Sequence, residues 1–328
     1  MINNRLIYDI DHKPMEIDEM LARGGEAEIY PLLKRPDVLF KSYHPLIIQK
    51  RGKDLQKKID LMRKIPSLRE DKNLSWPLIN VYDDKKNWLG YCMYRGVGVT
   101  MFKLAHAILY QKHFPNLDRR KIVSYLIKYL NEIKKLHKKN IFIGDYNLHN
   151  ILLDPNSDKV ILIDCDSYQI KLQNQFFPCE VGSADMTPKE HQNRPFNSIV
   201  RTIESELFSV AIVLFKALML GRHPYDIVGG TDPVQNLCQG KFPYGIGNKG
   251  IPKGNWYNIW SHIPHKIKTL FIQTFTVGAN DPKKRVSLET WIKELKIYQR
   301  EMEKGWHRVE VIPKEPKESK YRGNNSHS

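Results

Sequence analysis

The pattern of apolar residues changes character near residue 96, and this change limits the folds open to the chain. Before it, short apolar runs at 38–41, 78–82 and 88–93 are separated by turn residues, which predicts a small antiparallel sheet. Beyond it, from Asp118 onward, apolar residues recur every three or four positions, which predicts helices. We therefore predict an α+β fold with a small antiparallel β-sheet in its N-terminal part and a mainly helical C-terminal part.

One helix interrupts the strand-rich part. Residues 53–65 carry Leu55, Ile59 and Met62 at helical spacing, and a proline ends this helix. Further helices are predicted after Asp118, at 205–220, at 267–277 and at 287–303. The predicted organisation is an N-terminal region 1–95, a C-terminal region 96–305 and a basic, disordered tail 306–328 that is poor in apolar groups.

Composition places the chain among soluble globular proteins. Its 328 residues are 41% hydrophobic and 27% charged, and no apolar run reaches the roughly 18 residues that span a bilayer. The first residues lack the basic-then-apolar order of a signal peptide, so we predict a cytoplasmic protein without a membrane segment. The four cysteines have no paired spacing, which argues against a disulfide framework or a zinc site.

The net charge of +16 reflects 52 basic against 36 acidic residues. Such an excess favours nucleotides, acidic proteins or nucleic acid as partners, without choosing among them. The basic residues fall in helix-like runs such as 53–64 and 134–139, and no DNA- or RNA-binding motif is present. A solvated helix face explains these runs better than a nucleic-acid track.

The stretch at 143–167 carries the clearest chemistry. Asp145 and Asn150 stand five residues apart just before an apolar strand, and Asp164 closes the next apolar run. This spacing can set one carboxylate at an attacking hydroxyl while an amide and a second carboxylate hold a metal ion. The residues therefore indicate phosphoryl transfer, against the simpler interpretation of a hairpin with acidic turn residues.

Two upstream features fit the same chemistry. Small residues within 21–30 let backbone N–H groups approach phosphate oxygens, although an ordinary tight hairpin has the same composition. Lys41 ends the apolar strand at 38–41, where its ammonium can neutralise phosphate charge, although a lone lysine at a strand end is usually solvated. The candidate nucleotide-binding residues here are Ala22, Gly24, Gly25, Ala27, Ile29 and Lys41.

In this order the motifs resemble those of the eukaryotic-like Ser/Thr protein kinases, and the resemblance covers about residues 21–295. It implies a two-lobed protein-kinase-like fold, ATP as phosphoryl donor, Mg or Mn as the metal, and transfer to Ser or Thr of a protein. It also implies that Asp145 is the catalytic base, that Asn150 and Asp164 bind the metal, and that Lys41 binds the α- and β-phosphates. Met93 would guard the back of the nucleotide pocket, and the backbone around Arg95 would bind adenine.

Three more positions extend the resemblance. Residues 182–190 are similar to the segment that ends in Ala-Pro-Glu and supports the peptide substrate, and its Glu190 would pair with Arg285. Glu206, at the start of the predicted central helix, would bond the catalytic-loop backbone. Taken singly, these are surface charges more often than buried pairs. Because the family's small-molecule relatives lack these features, they favour a protein substrate, and Ser183 favours Ser/Thr over Tyr.

Three departures affect the loops of the predicted site. Ile143-Gly144 replaces His-Arg, which removes an arginine that reads phosphate on the activation segment. Asn147 replaces a catalytic-loop lysine and leaves a weaker donor toward the γ-phosphate, so we expect reduced turnover. Asp166 replaces the glycine of Asp-Phe-Gly, and we expect its carboxylate to bond backbone amides rather than a second cation.

A fourth departure is in the helix at 53–65, which has no glutamate to pair with Lys41. Asp60 is the nearest substitute by spacing, with Asp54 and Gln56 as alternatives. Because that pair is normally required for activity, its absence favours a pseudokinase scaffold that binds nucleotide or a partner without phosphoryl transfer. The predicted catalytic and metal-binding residues are nevertheless all present, and an active kinase is therefore the preferred interpretation.

The loops at 144–150 and 163–167 are similar to a bacterial branch of the family. Members of that branch are often encoded beside a PP2C-type phosphatase and a von Willebrand A-type protein, which are the partners that the resemblance implies besides a protein substrate. A second alternative is a small-molecule kinase of the aminoglycoside or lipid type, which shares the Asp and Asn signatures. The segment at 182–190 and Arg285 argue against it.

Overall fold

The computed structural model describes residues 6–172, 174–229, 232–245, 250–251 and 254–317, which form a mixed α+β architecture, as predicted. The strands are β1 (Leu6–Tyr8), β2 (Pro14–Glu16), β3 (Ala22–Arg23), β4 (Ala27–Leu32), β5 (Arg35–Tyr43), β6 (Pro77–Tyr82), β7 (Trp88–Tyr94), β8 (Val99–Thr100), β9 (Ile141–Phe142), β10 (Ile151–Leu153), β11 (Val160–Leu162), β12 (Gln169–Leu172) and β13 (Gln175–Phe177). The helices are α1 (Pro45–Arg63), α2 (Pro66–Arg69), α3 (Met101–Leu104), α4 (Leu109–His113), α5 (Arg119–His137), α6 (Ile203–Leu218), α7 (Pro233–Cys238), α8 (Asn255–His262), α9 (His265–Phe275), α10 (Val277–Asn280) and α11 (Leu288–Glu303). Among these helices, none combines the length and the apolar character needed to cross a membrane.

Two compact units divide the chain. The first combines the described residues of Met1–Met101 with Lys135–Gly182 and Pro195–Arg201, and the second holds Phe102–Lys134, Ser183–Arg194 and the described chain from Thr202. This division differs from the predicted boundary between residues 95 and 96, because the chain after α5 returns to the first unit. There β10 pairs with β8, and Leu74 forms a parallel bridge with Leu162. The two acidic motifs therefore belong to the same unit as the N-terminal sheet.

The sheet of the first unit is antiparallel and curls on itself. Its strands follow the order β2-β1-β6-β7-β5-β4-β3. Beyond the end of β2, Ile17 forms an antiparallel bridge with Leu32 of β4. Two backbone bonds flank this bridge, from the Asp18 N–H to the Pro31 carbonyl and from the Leu33 N–H to the Glu16 carbonyl, both at 2.9 Å. The outer strand β2 is thus joined to β4 near the other end of the sheet.

Alternation along the strands fills the curled sheet with apolar side chains. On β5, Val38 and Phe40 face the interior, whereas Leu39 and Lys41 line a cavity on the opposite face. The buried residues of the interior are Ile7, Ile17, Tyr30, Leu32, Val38, Phe40, Val81 and Cys92. Because successive side chains of a strand point to opposite faces of the sheet, Lys41 lies outside the core although three apolar residues precede it.

Helix α1 is longer than the predicted helix at 53–65. It begins at Pro45, where the missing N–H of proline costs no helical hydrogen bond, and continues through Gly52. The sequence interpretation missed the first turns because a glycine within a helical pattern weakens the prediction. The residues predicted to face the core, Leu55, Ile59 and Met62, are buried.

The second unit is built around α6. Thr202 and Ser205 form a capping box at its start, in which the Thr202 side chain accepts from the Ser205 N–H and the Ser205 hydroxyl accepts from the Thr202 N–H. Nearly every residue of α6 is buried. Phe215 on this helix is surrounded by aromatic rings from the following segments, namely Phe242, Tyr244, Trp260, Phe271 and Phe275. A helix that is buried along nearly its whole length is therefore the core of this unit.

The predicted disordered tail does not begin at residue 306. Asn258 of α8 donates from Nδ2 to the backbone carbonyls of Pro313 and Lys314 at 3.1 and 2.9 Å. The Lys317 N–H donates to the Ser261 hydroxyl at 2.8 Å, and Val311 is buried. Polar composition suggested disorder, but these backbone groups find partners on a neighbouring helix. Residues 318–328, the rest of the predicted tail, lie outside the described residues.

Candidate active site

A cavity of about 1010 Å³ lies within the first unit. Its size is at the upper end of the range for small-molecule sites in proteins. The lining comes from the β3–β4 hairpin, strands β5 and β7, helix α1 and the two acidic motifs. Among the predicted site residues, the lining includes Ala22, Gly24, Gly25, Ala27, Ile29, Lys41, Met93, Asp145, Asn150 and Asp164.

Two predicted residues are not part of this lining. The backbone N–H of Arg95 donates to the Asp37 carbonyl at 2.9 Å, which continues the pairing at the end of β7. The Asn147 side chain accepts from the His149 N–H at 2.9 Å and caps a short 3-10 helix, Leu148–Asn150. Asn147 therefore has a structural contact within its own loop, which the replacement of a lysine did not predict.

The β3–β4 hairpin is both a tight turn and part of the cavity. Ala22 pairs with Ile29, and the Gly24 N–H donates to the Ala27 carbonyl at 2.8 Å. A Cβ added at Gly25 would meet no heavy atom of another residue within 4 Å, so this position is open. The sequence left an ordinary hairpin and a phosphate-covering hairpin as alternatives, and this geometry is compatible with either.

Lys41 is held by two carboxylates. Its Nζ lies 2.7 Å from Asp164 Oδ1 and 2.8 Å from each oxygen of Asp166. The hydroxyls of Tyr43 and Tyr91 donate to the same Asp166 carboxylate at 2.5 and 2.8 Å. Our expectation that Asp166 bonds backbone amides was therefore wrong. Asp166 is instead the buried acceptor for one ammonium and two phenols.

Charge explains the protonation states in this group. Burial alone would lower the pKa of Lys41, but the carboxylates of Asp166 and Asp164 raise it above its ordinary value. Burial also raises the pKa of the Tyr43 and Tyr91 phenols, and the adjacent Asp166 charge adds to that effect. Lys41 is therefore cationic and both tyrosines are neutral donors at neutral pH.

Asp60 does not take the place of the missing helix glutamate. It accepts from Asn80 Nδ2 at 2.6 Å and from Arg63 Nη1 at 3.4 Å, on the side of α1 that packs against β6. The partners of the Lys41 ammonium are Asp164 and Asp166. Spacing along the chain suggested Asp60, but the carboxylate that bonds this lysine comes from a different motif.

The β10–β11 hairpin brings Asn150 and Asp164 to the same end of two paired strands. Ile151 is paired with Leu162, and the Ile163 N–H donates to the Asn150 carbonyl at 3.0 Å. Asp164 has a φ of +62°, in the left-handed region that Asp and Asn tolerate better than other residues. Its carboxylate is 40% exposed. The strand pairing thus brings Asn150 and Asp164 to the same end of the hairpin, where both residues line the cavity.

The donor set at this hairpin suits a hard divalent cation. Carboxylate and amide oxygens are the ligands that Mg²⁺ takes, and Mg²⁺ normally keeps waters or phosphate oxygens in its other positions. Within the described part of the chain, no group of three or more His, Cys, Asp or Glu side chains could hold a metal by itself. A site built from Asn150 and Asp164 would therefore fit a cation that arrives with phosphate oxygens, and would not suit a structural zinc.

Gly144, next to Asp145, is in a confined position. Its φ is +70°, and a Cβ there would lie 2.6 Å from the Cys179 Cβ and 3.1 Å from the Arg201 Nε. Burial raises the pKa of the Cys179 thiol to about 11, so the thiol stays protonated at neutral pH.

The sequence interpretation noted that this loop lacks an arginine, but it missed the buried guanidinium of Arg201 beside the loop. Arg201 was missed because it lies on a distant segment of the chain. Its backbone N–H donates to Gln169 Oε1 at 2.7 Å, and its carbonyl accepts from Gln169 Nε2 at 2.9 Å.

Glu190 and Arg285 are bonded to each other in the second unit. Two parallel bonds of 2.7 and 2.8 Å join the Arg285 guanidinium to both oxygens of Glu190. The same guanidinium donates to the carbonyls of Glu204 and Gly278, each at 2.8 Å. Glu206, the other predicted support residue of this unit, is buried within α6.

Comparison with known proteins finds sequence similarity of limited extent. No protein-family model matches the chain. Two curated relatives, both named protein kinase YegI and found in Escherichia coli O157:H7 and Escherichia coli strain K12, are each 23% identical over 296 residues. The match covers 87% of this chain but only 45% and 44% of the relatives, so the chain spans less than half of their length.

Proposed function

We propose that this chain is an ATP-dependent protein kinase of the two-lobed, eukaryotic-like type, which transfers the γ-phosphoryl group to a Ser or Thr hydroxyl of a protein. The observation that carries the proposal is the cavity of about 1010 Å³ in the first unit. Its lining gathers a small-residue hairpin, a strand lysine, an aspartate in a loop and the Asn150–Asp164 pair. Phosphoryl transfer needs such positioned charges and little covalent chemistry from the protein.

In this proposal each residue has a defined task. Asp145 accepts the proton of the attacking hydroxyl, and Lys41 neutralises charge on the phosphates. Asn150 and Asp164 would hold Mg, or Mn in its place, and the cation when bound would neutralise charge on the β- and γ-phosphate oxygens. The hairpin amides around Gly24 and Gly25 would approach the phosphates, and Met93 would border the base.

A protein substrate is favoured over a small molecule by the second unit. The bidentate Glu190–Arg285 bond ties the segment that resembles a peptide-supporting segment to a distant part of the chain. The two relatives are named protein kinases, which supports the same substrate class. The resemblance to the bacterial branch extends the proposal to a cytoplasmic setting with a PP2C-type phosphatase and a von Willebrand A-type protein as partners.

Transfer of label from γ-labelled ATP tests the proposal. Purified protein with Mg or Mn should label itself or a generic basic protein substrate, and Asp145→Ala should lower the label by roughly 10²-fold or more, because general base catalysis contributes about that much. Asp84→Ala is the matched control, since Asp84 is exposed in the β6–β7 turn. Equal labelling by wild type and Asp145→Ala would exclude Asp145 as the base.

A pseudokinase scaffold is the second candidate, and one observation favours it. The Lys41 ammonium is bonded to Asp164 and to Asp166 at once, so phosphates would compete with two carboxylates for it. This candidate predicts ATP binding by wild type without any label on protein, even with excess substrate and either metal. Label that disappears in Asp145→Ala would reject it.

A further inference from the structure

The lysines and arginines that line the cavity differ in whether a carboxylate bonds them. Arg23 lies 3.3 Å from Glu28, Lys41 is bonded to two aspartates, and Arg51 is bonded to both Glu26 and Glu180. Lys58 of α1 also lines the cavity, yet it has no hydrogen bond or ion pair with any residue in the described part of the chain. Among the lysines and arginines of the lining, Lys58 is thus the one without a bonded carboxylate there.

Lys58 is also well buried, with 6% of its surface exposed. An ammonium taken out of water without a bonded partner is unfavourable, and no such partner is found among the residues that the structure describes. Burial lowers the pKa of Lys58 to about 8, while Cys179, Asp166 and Glu180 act in the opposite direction and Arg51 in the same one. At neutral pH the side chain therefore carries a charge that an incoming anion would neutralise.

We propose that Lys58 is a phosphate-binding residue, whose ammonium donates to the polyphosphate chain of a nucleoside di- or triphosphate in this cavity. The proposal rests on the proposed function, because it takes the cavity as a nucleotide site. Lys41 is already engaged by Asp164 and Asp166, whereas the Lys58 ammonium donates to no other described residue. Lys58 thereby supplies, from helix α1, a positive charge like the one that Asn147 removes from the loop after Asp145.

The competing explanation is purely structural. A lysine can bury its methylene stem against apolar neighbours and contribute through packing alone. Packing predicts that a substitution disturbs the binding of adenosine and ATP alike, since both fill the same cavity. Phosphate binding predicts that the substitution affects ligands only in proportion to the phosphates they carry. A ligand series from adenosine through AMP and ADP to ATP therefore separates the two explanations.

Calorimetric dissociation constants for this series should be compared in wild type and in Lys58→Met, Lys58→Arg and Lys57→Met. Charge-assisted hydrogen bonds imply that Lys58→Met weakens ATP and ADP binding by roughly 10- to 100-fold. Adenosine affinity should stay within about twofold. Lys58→Arg should recover part of the loss. Lys57→Met is the matched control, because Lys57 is the adjacent residue and its side chain is 68% exposed.

Each other outcome has a distinct meaning. If wild type binds ATP and Lys58→Met binds it equally well, the role of Lys58 is overturned while the nucleotide site stands. If Lys58→Met weakens adenosine and ATP by the same factor, packing is the explanation and phosphate binding is rejected. If wild type binds none of the series, the proposed function fails, and the inference about Lys58 fails with it.

Discussion

Arg285 in the second unit and Lys41 in the first both bond carboxylates far along the chain, yet Lys41 and its partner Asp164 line a cavity whereas the Arg285 side chain is fully buried. Arg285 has a fully buried side chain and bonds Glu190 twice, and its other contacts are two carbonyls and the ring of Phe208, 4.9 Å away. Lys41 bonds the buried Asp166 but also Asp164, which is 40% exposed and lines the cavity.

This difference separates a structural ion pair from one that is open to a ligand. A fully buried guanidinium with four of its five N–H donors bonded to protein acceptors has little to offer to a ligand, and removing it leaves several acceptors unpaired. An ammonium with one exposed partner can exchange that partner for phosphate without disturbing the buried one. Arg285 therefore serves stability in the second unit, whereas Lys41 in the first unit can bond phosphate by exchanging its exposed partner Asp164 for it.

The largest expected effect is the loss of the Arg285–Glu190 ion pair. Arg285→Ala should lower the free energy of unfolding by about 3–5 kcal/mol, because the Glu190 carboxylate and two carbonyls lose their donor. Arg308→Ala should change it by less than about 1 kcal/mol, since that side chain is 68% exposed and its pair with Glu310 is solvated. Urea denaturation followed by circular dichroism measures both. Similar midpoints for the two variants would contradict a structural role for Arg285.

Substitutions of the two aspartates that bond Lys41 should affect the free energy of unfolding to different extents. Asp166→Asn removes the buried carboxylate beside Lys41, Tyr43 and Tyr91, and should lower the free energy of unfolding by about 2–3 kcal/mol. Asp164→Asn should change stability by less than about 1 kcal/mol, because Asp164 is partly exposed and Lys41 keeps Asp166. Under the proposed function, Asp164→Asn should nevertheless lose phosphoryl transfer. Equal stability losses from the two variants would remove the distinction between a buried and an open partner.

The smallest expected effect is the contribution of Lys58 to the pH dependence of the free energy of unfolding. The pKa of Lys58 is lowered by burial to about 8, below the roughly 10.4 of an unfolded lysine. Below pH 8 both states are protonated, so Lys58 adds no pH dependence. Between pH 8 and about 10.4 the folded protein releases this proton while the unfolded chain keeps it, so stability should rise with pH.

Lys58→Met should lack this rise. The stability difference between wild type and Lys58→Met should therefore shift in favour of wild type by roughly 1 kcal/mol from pH 8 to pH 9. Thermal or urea unfolding of both proteins at each pH measures it, with Lys57→Met as the control. Parallel curves for all three proteins would show that Lys58 is not a buried, unpaired cation.

Local patterns in the sequence predicted the mixed architecture and most of the candidate site residues that line the cavity, although not Arg51 or Lys58. Leu55, Ile59 and Met62 are buried as their helical spacing requires, and the alternation along β5 turns Lys41 away from the core. The spacing of apolar residues indicates which face of a helix or strand is buried, and that face can therefore be predicted from sequence alone. The same periodicity placed the start of α1 too late, because the proline and glycine in its first turns resemble breakers.

Partners that are distant along the chain could not be predicted in this way. Asp166 and Lys41 are 125 residues apart, and the choice of Asp166 over Asp60 depends on how β5, α1 and the second acidic motif pack together. Lys58 belongs to a run of lysines that looks like a solvated helix face, and only its burial distinguishes it from Lys57. Sequence spacing thus identified the charged groups, but not which of them are bonded to each other.

The bridge between Ile17 and Leu32 has a consequence for how this protein behaves at high concentration. Unpaired edge strands are where sheets of separate molecules join and aggregate. Here the outer side of β4 pairs with β3 at one end and with the residues after β2 at the other. In the described part of the first unit, a strand from another molecule would have to displace these backbone bonds before it could add to β4. The curl of the sheet therefore also keeps β4 from offering an open edge to a second molecule.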